Sequence, residues 1–393
     1  MSENTSNISG DGNVVLQDIN ARDVVINIAG DLPPEVKQKK ESLNEKIKGL
    51  VDQLDGMKEK IPVSVSSEPF EPPDDPAYQG IKWRRLLKAL EHQGCVLFVG
   101  PEIAIDDQGK SLHQEFYKEL AEDFDDIEYM ENEGFFSPEA DEEILYDILD
   151  FYKKDFPREN KKGRQLLEQL AQLPFSMTVS LCPDDTMHTV FEDYAMPHNF
   201  LFYDGTKQEL EPNGTEMPII YNILGNAAEN GKYIFTHANF FQYLNKVTIP
   251  SEIKKKIQDA THFLFVGFDF DKWYNRLLLF ILDFEQRKGG GNRMIVGSQK
   301  IKEDIELFIE KQFSITFIEN DYTKFIEWLT ANAADAGLLR NLNATFLQNN
   351  FLDLKKISIK ISDEDKLEEL TRIEKQVEAI DERIQLFKKR TAA

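Results

Sequence analysis

Four short segments concentrate the residue types that could do chemistry. The first, Phe98-Val-Gly-Pro-Glu-Ile-Ala104, runs an apolar strand into a glycine and then a loop. Glycine there lets main chain approach a ligand's phosphates, and a helix N-terminus just beyond favours their negative charge. The full GxGxxG spacing is absent, so Gly100, Pro101 and Glu102 are candidate cofactor contacts by position alone. The second, Val179-Ser-Leu-Cys-Pro-Asp-Asp185, also ends a strand and offers Ser180, Cys182 and Asp184. The third, Pro218-Ile-Ile-Tyr-Asn-Ile-Leu-Gly225, closes on Gly225 and is followed by Tyr233–Phe241, which contains His237. The fourth, Phe263-Leu-Phe-Val-Gly-Phe-Asp-Phe-Asp-Lys-Trp273, offers Gly267 and Asp269, with Arg276 after it.

Three chemistries can be weighed on these residues. Cys182 could be a nucleophile, but no histidine is placed by sequence to activate it, and a small buried thiol is the simpler reading. His188 follows Asp184 and Asp185 at helical spacing, as a metal site would need. No further ligands are in view, and a helix start capped by Asp185 accounts for the acids, so no metal is expected. His237 reads as a surface histidine, with a substitute general base as the sharper alternative.

These segments need a scaffold. Gly94–Gly100, Met177–Leu181, Pro218–Leu224, Phe263–Gly267, Met294–Val296 and Ile315–Ile318 are short apolar runs, several of them continuous rather than alternating. Strands covered on both faces look like this, and with helices between them the class is α/β with a mainly parallel sheet. Residues 8–29 are different. Val14–Leu16 and Val24–Ile28 flank a polar turn and read as a hairpin, which needs something to pair with. Beyond Pro33-Pro34, a helix to about Lys60 puts Leu43, Ile47, Leu50 and Leu54 on one stripe. Residues 61–78 form a Pro- and acid-rich linker. After Trp328 the segment LLRNLNATFLQNNFLDLKKISIKI resists assignment. From Asp363, Leu370, Ile373, Val377, Ile380, Ile384 and Phe387 follow a heptad pattern, fitting either a coiled coil or one amphipathic helix folded back. The expected organisation is 1–60, a hairpin–helix adaptor; 61–78, linker; 79–335, the α/β domain; and 336–393, an extension ending in the heptad helix.

Composition limits the partners. A formal charge of −24 disfavours nucleic acid, which needs clustered Lys and Arg. Fourteen carboxylates and no Lys or Arg lie between Glu119 and Asp150, either a solvated face or a docking surface for a basic partner. Two cysteines exclude a disulfide framework. No apolar run reaches the roughly 18 residues of a membrane span, and the N-terminus has no signal-peptide pattern, so a cytoplasmic protein is expected.

Taken in order, the four segments resemble the SIR2-like domains of prokaryotic defence and conflict proteins, distant relatives of sirtuins. Those domains carry a Gly-Ala-Gly-type turn, a Thr-Thr-Asn-x-Asp segment and a strand ending in His-Gly. A late Phe-x-Gly-x-Ser/Asp-x-x-Asp-Trp run precedes an Arg-containing helix. The likeness runs from about Lys82 to Leu329 and is best at Phe265–Trp273 with Arg276. It implies a Rossmann-like sheet, NAD as cofactor and, in active members, cleavage of the nicotinamide–ribose bond. Cys182 stands where the Asn would be, Asp184 where the Asp would be, and Leu224 where the His would be. Leucine takes no proton, and a thiol cannot replace a carboxamide. Glu102 after the glycine would oppose a pyrophosphate by on the order of 1 kcal/mol or more.

The resulting expectation is a degenerate SIR2-like domain acting as scaffold or nucleotide sensor in a bacterial defence or stress-response assembly. Residues 1–60, whose ISGDGNVV start resembles adaptor segments of bacterial effectors, would serve a protein partner or homo-oligomer. The alternative is an active NAD glycohydrolase in which Asp184, Glu102 and Asp269 steady an oxocarbenium-like ribose. An unrelated nucleotide-binding sheet is disfavoured by the lack of a Walker motif. An imidazole and a carboxamide converging on the cleft from elsewhere in the chain would overturn the expectation of lost catalysis.

Overall fold

The computed structural model describes residues 26, 33–58, 82–106, 108–124, 127–137, 142–206, 217–229, 232–282, 292–297, 301–319, 321–357 and 366–391. The hairpin expected at 8–29 lies outside these residues except for Ile26, and the linker 61–78 lies outside them entirely.

The chain divides into two compact units. One is helical. Helix α1 (Pro34–Lys58) shares a core with two late helices and with the short stretch Phe191–Met196. The expected α1 stripe of Leu43, Ile47, Leu50 and Leu54 is buried, and so is the whole heptad set from Leu370 to Phe387. Their partners are within the chain: both stripes belong to one apolar cluster, joined by Phe346, Leu347 and Leu354 from the unassigned segment. An amphipathic stripe stays helical in water only when something covers it.

The other unit is built on a seven-stranded sheet. Its strands are β1 (Cys95–Val99), β4 (Met177–Ser180), β5 (Asn199–Phe202), β6 (Ile219–Asn222), β9 (His262–Val266), β10 (Asn292–Gly297) and β11 (Ile315–Glu319). Two small antiparallel pairs complete the numbering, β2 (Tyr129–Met130) with β3 (Phe135–Phe136) and β7 (Gly225–Asn226) with β8 (Lys232–Tyr233). The sheet order is β11-β10-β9-β1-β4-β6-β5, and every pairing is parallel. Val96, Phe98, Met177, Val179, Ile219, Tyr221, Phe263 and Phe265 alternate onto one face and share one core. Cys95, Leu97, Val99, Leu264 and Val266 point the other way and are equally buried. Burial on both faces is why these runs read as continuous apolar sequence.

Around the sheet the helices are α2 (Trp83–Glu91), α3 (Leu112–Glu122), α4 (Glu142–Asp150), α5 (Phe156–Glu159), α6 (Lys161–Gln172) and α7 (Thr186–Asp193). They continue as α8 (His237–Lys246), α9 (Ser251–Asp259), α10 (Trp273–Ile281), α11 (Glu303–Phe313) and α12 (Tyr322–Asp335). The helical unit's late pair are α13 (Leu342–Ile357) and α14 (Lys366–Thr391). Strand β5, not anticipated from sequence, is a half-buried four-residue edge strand. Among the described residues no helix is long and apolar enough to cross a membrane.

Candidate functional site

Sheet connectivity locates the site. From β1 the chain proceeds to its neighbour β4 on one side; from β9, on the other side of β1, it proceeds outward to β10. The loops after β1 and β9 therefore diverge, which opens a crevice at their carboxyl ends, the place where α/β sheets receive ligands. Val99 is level with both Val266 and Ser180, so Gly100, Gly267 and Leu181 leave the sheet side by side.

The two glycines meet backbone to backbone. A Cβ on Gly100 would lie 2.1 Å from the Gly267 carbonyl oxygen, and Gly267 itself has φ +69°. The amides of the turn are all engaged: Gly100 donates to Val266 O, Glu102 to Gly267 O, Ile103 to Gly100 O and Ala104 to Pro101 O. Pro101 has no amide hydrogen. The helix following the glycine is a single 3-10 turn, Pro101–Ile103. This is a departure from the expected role of Gly100, whose missing side chain makes room for Gly267. The turn does not fit a dinucleotide's pyrophosphate, because no donor of residues 100–104 is left for it and Glu102 brings a negative charge. Asp269 joins the same crevice; its Oδ1 accepts from Asp271 N at 2.9 Å and its carbonyl from Asn275 Nδ2 at 2.6 Å.

At the end of β4, Ser180 Oγ accepts from Cys182 N at 3.1 Å, and the thiol lies 4.0 Å from Val99 O. Burial, with Asp184 adding to it, pushes the Cys182 thiol far up, so it stays protonated and unreactive. Asp184 is 5% exposed, and burial raises its carboxyl to about 6. Its Oδ1 accepts from Thr186 N at 2.8 Å, while Asp185, the residue directly before α7, accepts from Thr189 Oγ1 at 3.5 Å, so both acids serve the helix start. His188 pairs not with these acids but with His198, ring nitrogens 2.7 Å apart. Leu224 is buried in the turn just beyond β6, and Gly225 opens β7 with φ +103°.

His237 stands in the first turn of α8, whose start Thr236 caps by accepting from Asn239 N at 3.1 Å. Its partners are Glu133, at 3.6 Å, and the Phe135 ring; Cys182 and Asp184 are not among them. Glu133, from the acidic stretch, also accepts from Trp273 Nε1 at 2.5 Å.

Residues that sequence reasoning passed over reach the same strand ends. His113 Nε2 lies 3.6 Å from Asp184 Oδ2, and its Nδ1 is 2.9 Å from Tyr152 OH, which is 2.8 Å from Tyr117 OH. Burial, with the Lys272 charge adding to it, lowers His113 to about 3, so the ring is neutral. Asn222 Nδ2 donates to the Asp184 carbonyl at 2.9 Å, while buried Asn226 has no partner for Nδ2 among the described residues. An imidazole and a carboxamide thus meet at Asp184, from α3 and β6, but both are buried inside the protein, the carboxamide donating to main chain, and neither is presented to the cleft. A signal existed for His113: with Tyr117 and Leu120 it lies at i, i+4, i+7 on the buried stripe of α3. Lys272 gave none, since Asp-Lys-Trp reads as an exposed helix start.

No curated protein matches the chain. Residues 184–318, about a third of its length, match the family model described as SIR2-like domain. That stretch begins at Asp184 and takes in Leu224, Gly267 and Lys272. Together with the all-parallel seven-stranded sheet, it identifies the α/β architecture as one consistent with a Rossmann-like SIR2 fold.

Proposed function

We propose that this chain is a scaffold or nucleotide-ligand sensor built on a SIR2-like domain, in a bacterial defence or stress-response assembly, and that it does not cleave NAD. SIR2-like domains generally bind NAD, and the active members of the resembling family break its nicotinamide–ribose bond. The observation that carries the reading is Leu224: where the resemblance places a general base, the side chain is apolar and 2% exposed. His113 does not restore that function. A base held at about 3 is far from the operating pH at which proton transfer is efficient. Its ring is 3% exposed and stacks on Phe156 at 4.8 Å, so it faces Asp184 inside the protein. In this reading residues 1–60 serve a partner or a second copy; because the α1 stripe is occupied within the chain, recognition would use its outer face or the residues before it.

The second reading, an NAD glycohydrolase, has one specific observation in its favour, the meeting of His113 and Asn222 at Asp184. Purified full-length protein incubated with NAD separates the two. The sensor reading expects no nicotinamide above a buffer control. Turnover that disappears in both Asp184→Asn and His113→Gln would establish the hydrolase instead.

A further inference from the structure

The turn after β1 has spent its amides, yet it carries a carboxylate into the crevice where such sheets receive an anion. Glu102 Oε1 accepts from Gln114 Nε2 at 3.0 Å and lies 3.4 Å from Lys272 Nζ. The same residue donates its amide to Gly267 O at 3.1 Å and accepts at its carbonyl from Tyr322 OH at 2.7 Å. Its main chain is therefore fixed from β9 and α12, while its side chain is directed at the start of α10.

Lys272 is the unusual partner. Its side chain is 6% exposed, and among the described residues the carboxylate within 4 Å of Nζ is that of Glu102. A buried ammonium without a counter-ion costs several kcal/mol, so something anionic must stand there. The two ends of the pair differ in exposure: the Glu102 side chain is 26% exposed and borders solvent, whereas that of Lys272 is 6% exposed. Withdrawal of Glu102 would leave Lys272 Nζ and Gln114 Nε2 as two convergent donors, one of them charged, at the crevice between β1 and β9. That is the donor set a phosphate group needs.

We propose that Glu102 is an intramolecular plug: its carboxylate stands in for the phosphate of a ligand, and Lys272 is the phosphate receptor it blocks. The plug deepens the sensor reading and rests on it, since it gives the sensor a closed state that a phosphate-bearing ligand must displace.

Equilibrium dialysis of full-length protein with labelled inorganic pyrophosphate tests this. Glu102→Gln keeps the shape of the side chain and an oxygen for Gln114, and removes the charge. It should bind pyrophosphate at least about tenfold more tightly than the unaltered protein, the size of effect expected when one partly buried like charge is removed. Adding Lys272→Met to that variant should abolish the gain. Glu102→Asp, which keeps the charge but withdraws it by one methylene, should give a smaller gain and serves if Glu102→Gln melts early. Binding no tighter than that of the unaltered protein in the folded variants, or a gain that survives Lys272→Met, overturns the plug. Nicotinamide release by the unaltered protein would sink the sensor reading and leave this pyrophosphate result untouched. An unchanged pyrophosphate affinity without nicotinamide release would sink the plug alone.

Discussion

The helical unit and the strand-end crevice are both closed to solvent, but with opposite materials. Among the described residues, the buried part of the seam of α1, α13 and α14 is apolar apart from Asn350, which donates to Phe346 O in its own helix, and the polar bridges between these helices lie at its more exposed edges. The crevice is closed by polar groups: a glycine pair bonded through main chain, the Glu102–Lys272 pair, and His113 against Asp184. An apolar seam constrains only volume and periodicity, and side chains of similar size can replace one another in it. A polar closure constrains each atom, because a buried group without its partner loses its hydration and gains nothing. The crevice is therefore the region where single substitutions should act most strongly and most specifically.

The largest effect is expected at Gly100. In Gly100→Ala the new carbon would lie 2.1 Å from Gly267 O and 2.7 Å from Gly267 C, both main-chain atoms that no rotamer change can move aside. A loss of more than about 4 kcal/mol follows, in the range reserved for direct steric conflict in a core. The three tryptophans, Trp83, Trp273 and Trp328, all lie in the sheet unit, so their fluorescence in a denaturant titration reports that unit alone. An unchanged fluorescence midpoint would show that the glycine pair does not close the crevice.

Next comes the His113–Asp184 pair, where the two members pull stability in opposite directions with pH. Asp184 is raised from 3.8 to about 6, so the folded protein keeps a proton that the unfolded chain has released. Its contribution is fully present below pH 3.8 and is lost as pH rises through about 6. His113 is lowered from 6.5 to about 3, so the unfolded chain takes up its proton first. Its contribution is present above pH 6.5 and is lost as pH falls toward about 3. Across the interval from pH 4 to 6.5 the Asp184 contribution changes by about 2 kcal/mol and that of His113 by about 3 kcal/mol. Relative to the unaltered protein, Asp184→Asn should gain stability as pH rises through that interval, and His113→Gln should gain as pH falls. Chemical unfolding at half-unit steps of pH checks both slopes. Parallel curves for all three proteins would mean that neither group is buried in the state proposed.

How far the sequence could be read follows the same division of materials. The strands around Phe98 and Phe265 and the stripes at Leu43–Leu54 and Leu370–Phe387 were legible because hydrophobic periodicity is a local property. The use of those stripes was not, since period alone cannot distinguish a partner in the same chain from one in another. Glu102, Gly267 and Asp269 were legible as strand-end positions. The engagement of the Gly100 and Glu102 amides was not, because their acceptors, Val266 O and Gly267 O, lie more than 160 residues away in the chain. His113 and Asn222 escaped for a related reason: their significance lies in meeting Asp184, and only the parallel register of β4 with β6 and the seating of α3 bring them there. Edge strand β5 did carry a signal, the apolar run Phe200–Tyr203, which was passed over because the run is short and only half-buried.

The smallest expected effect lies in the helical unit and sharpens the contrast with the crevice. Lys39 Nζ bridges α1 to α14, 2.9 Å from Glu374 Oε2 and 2.9 Å from Thr371 Oγ1. On paper this is a better ion pair than Lys272 with Glu102, which stands at 3.4 Å. Yet its side chains remain 25% and 41% exposed, so water and salt screen the charges and the folded state gains little from them. Lys39→Ala should cost less than about 1 kcal/mol, and a double-mutant cycle with Glu374→Ala should return a coupling of about 0.5 kcal/mol that shrinks as salt is added. Circular dichroism of the helical transition at low and high salt measures it. A coupling above about 2 kcal/mol, or one that salt leaves alone, would mean that charge as well as apolar packing holds the seam. Burial, rather than distance, would then have ceased to separate the two regions.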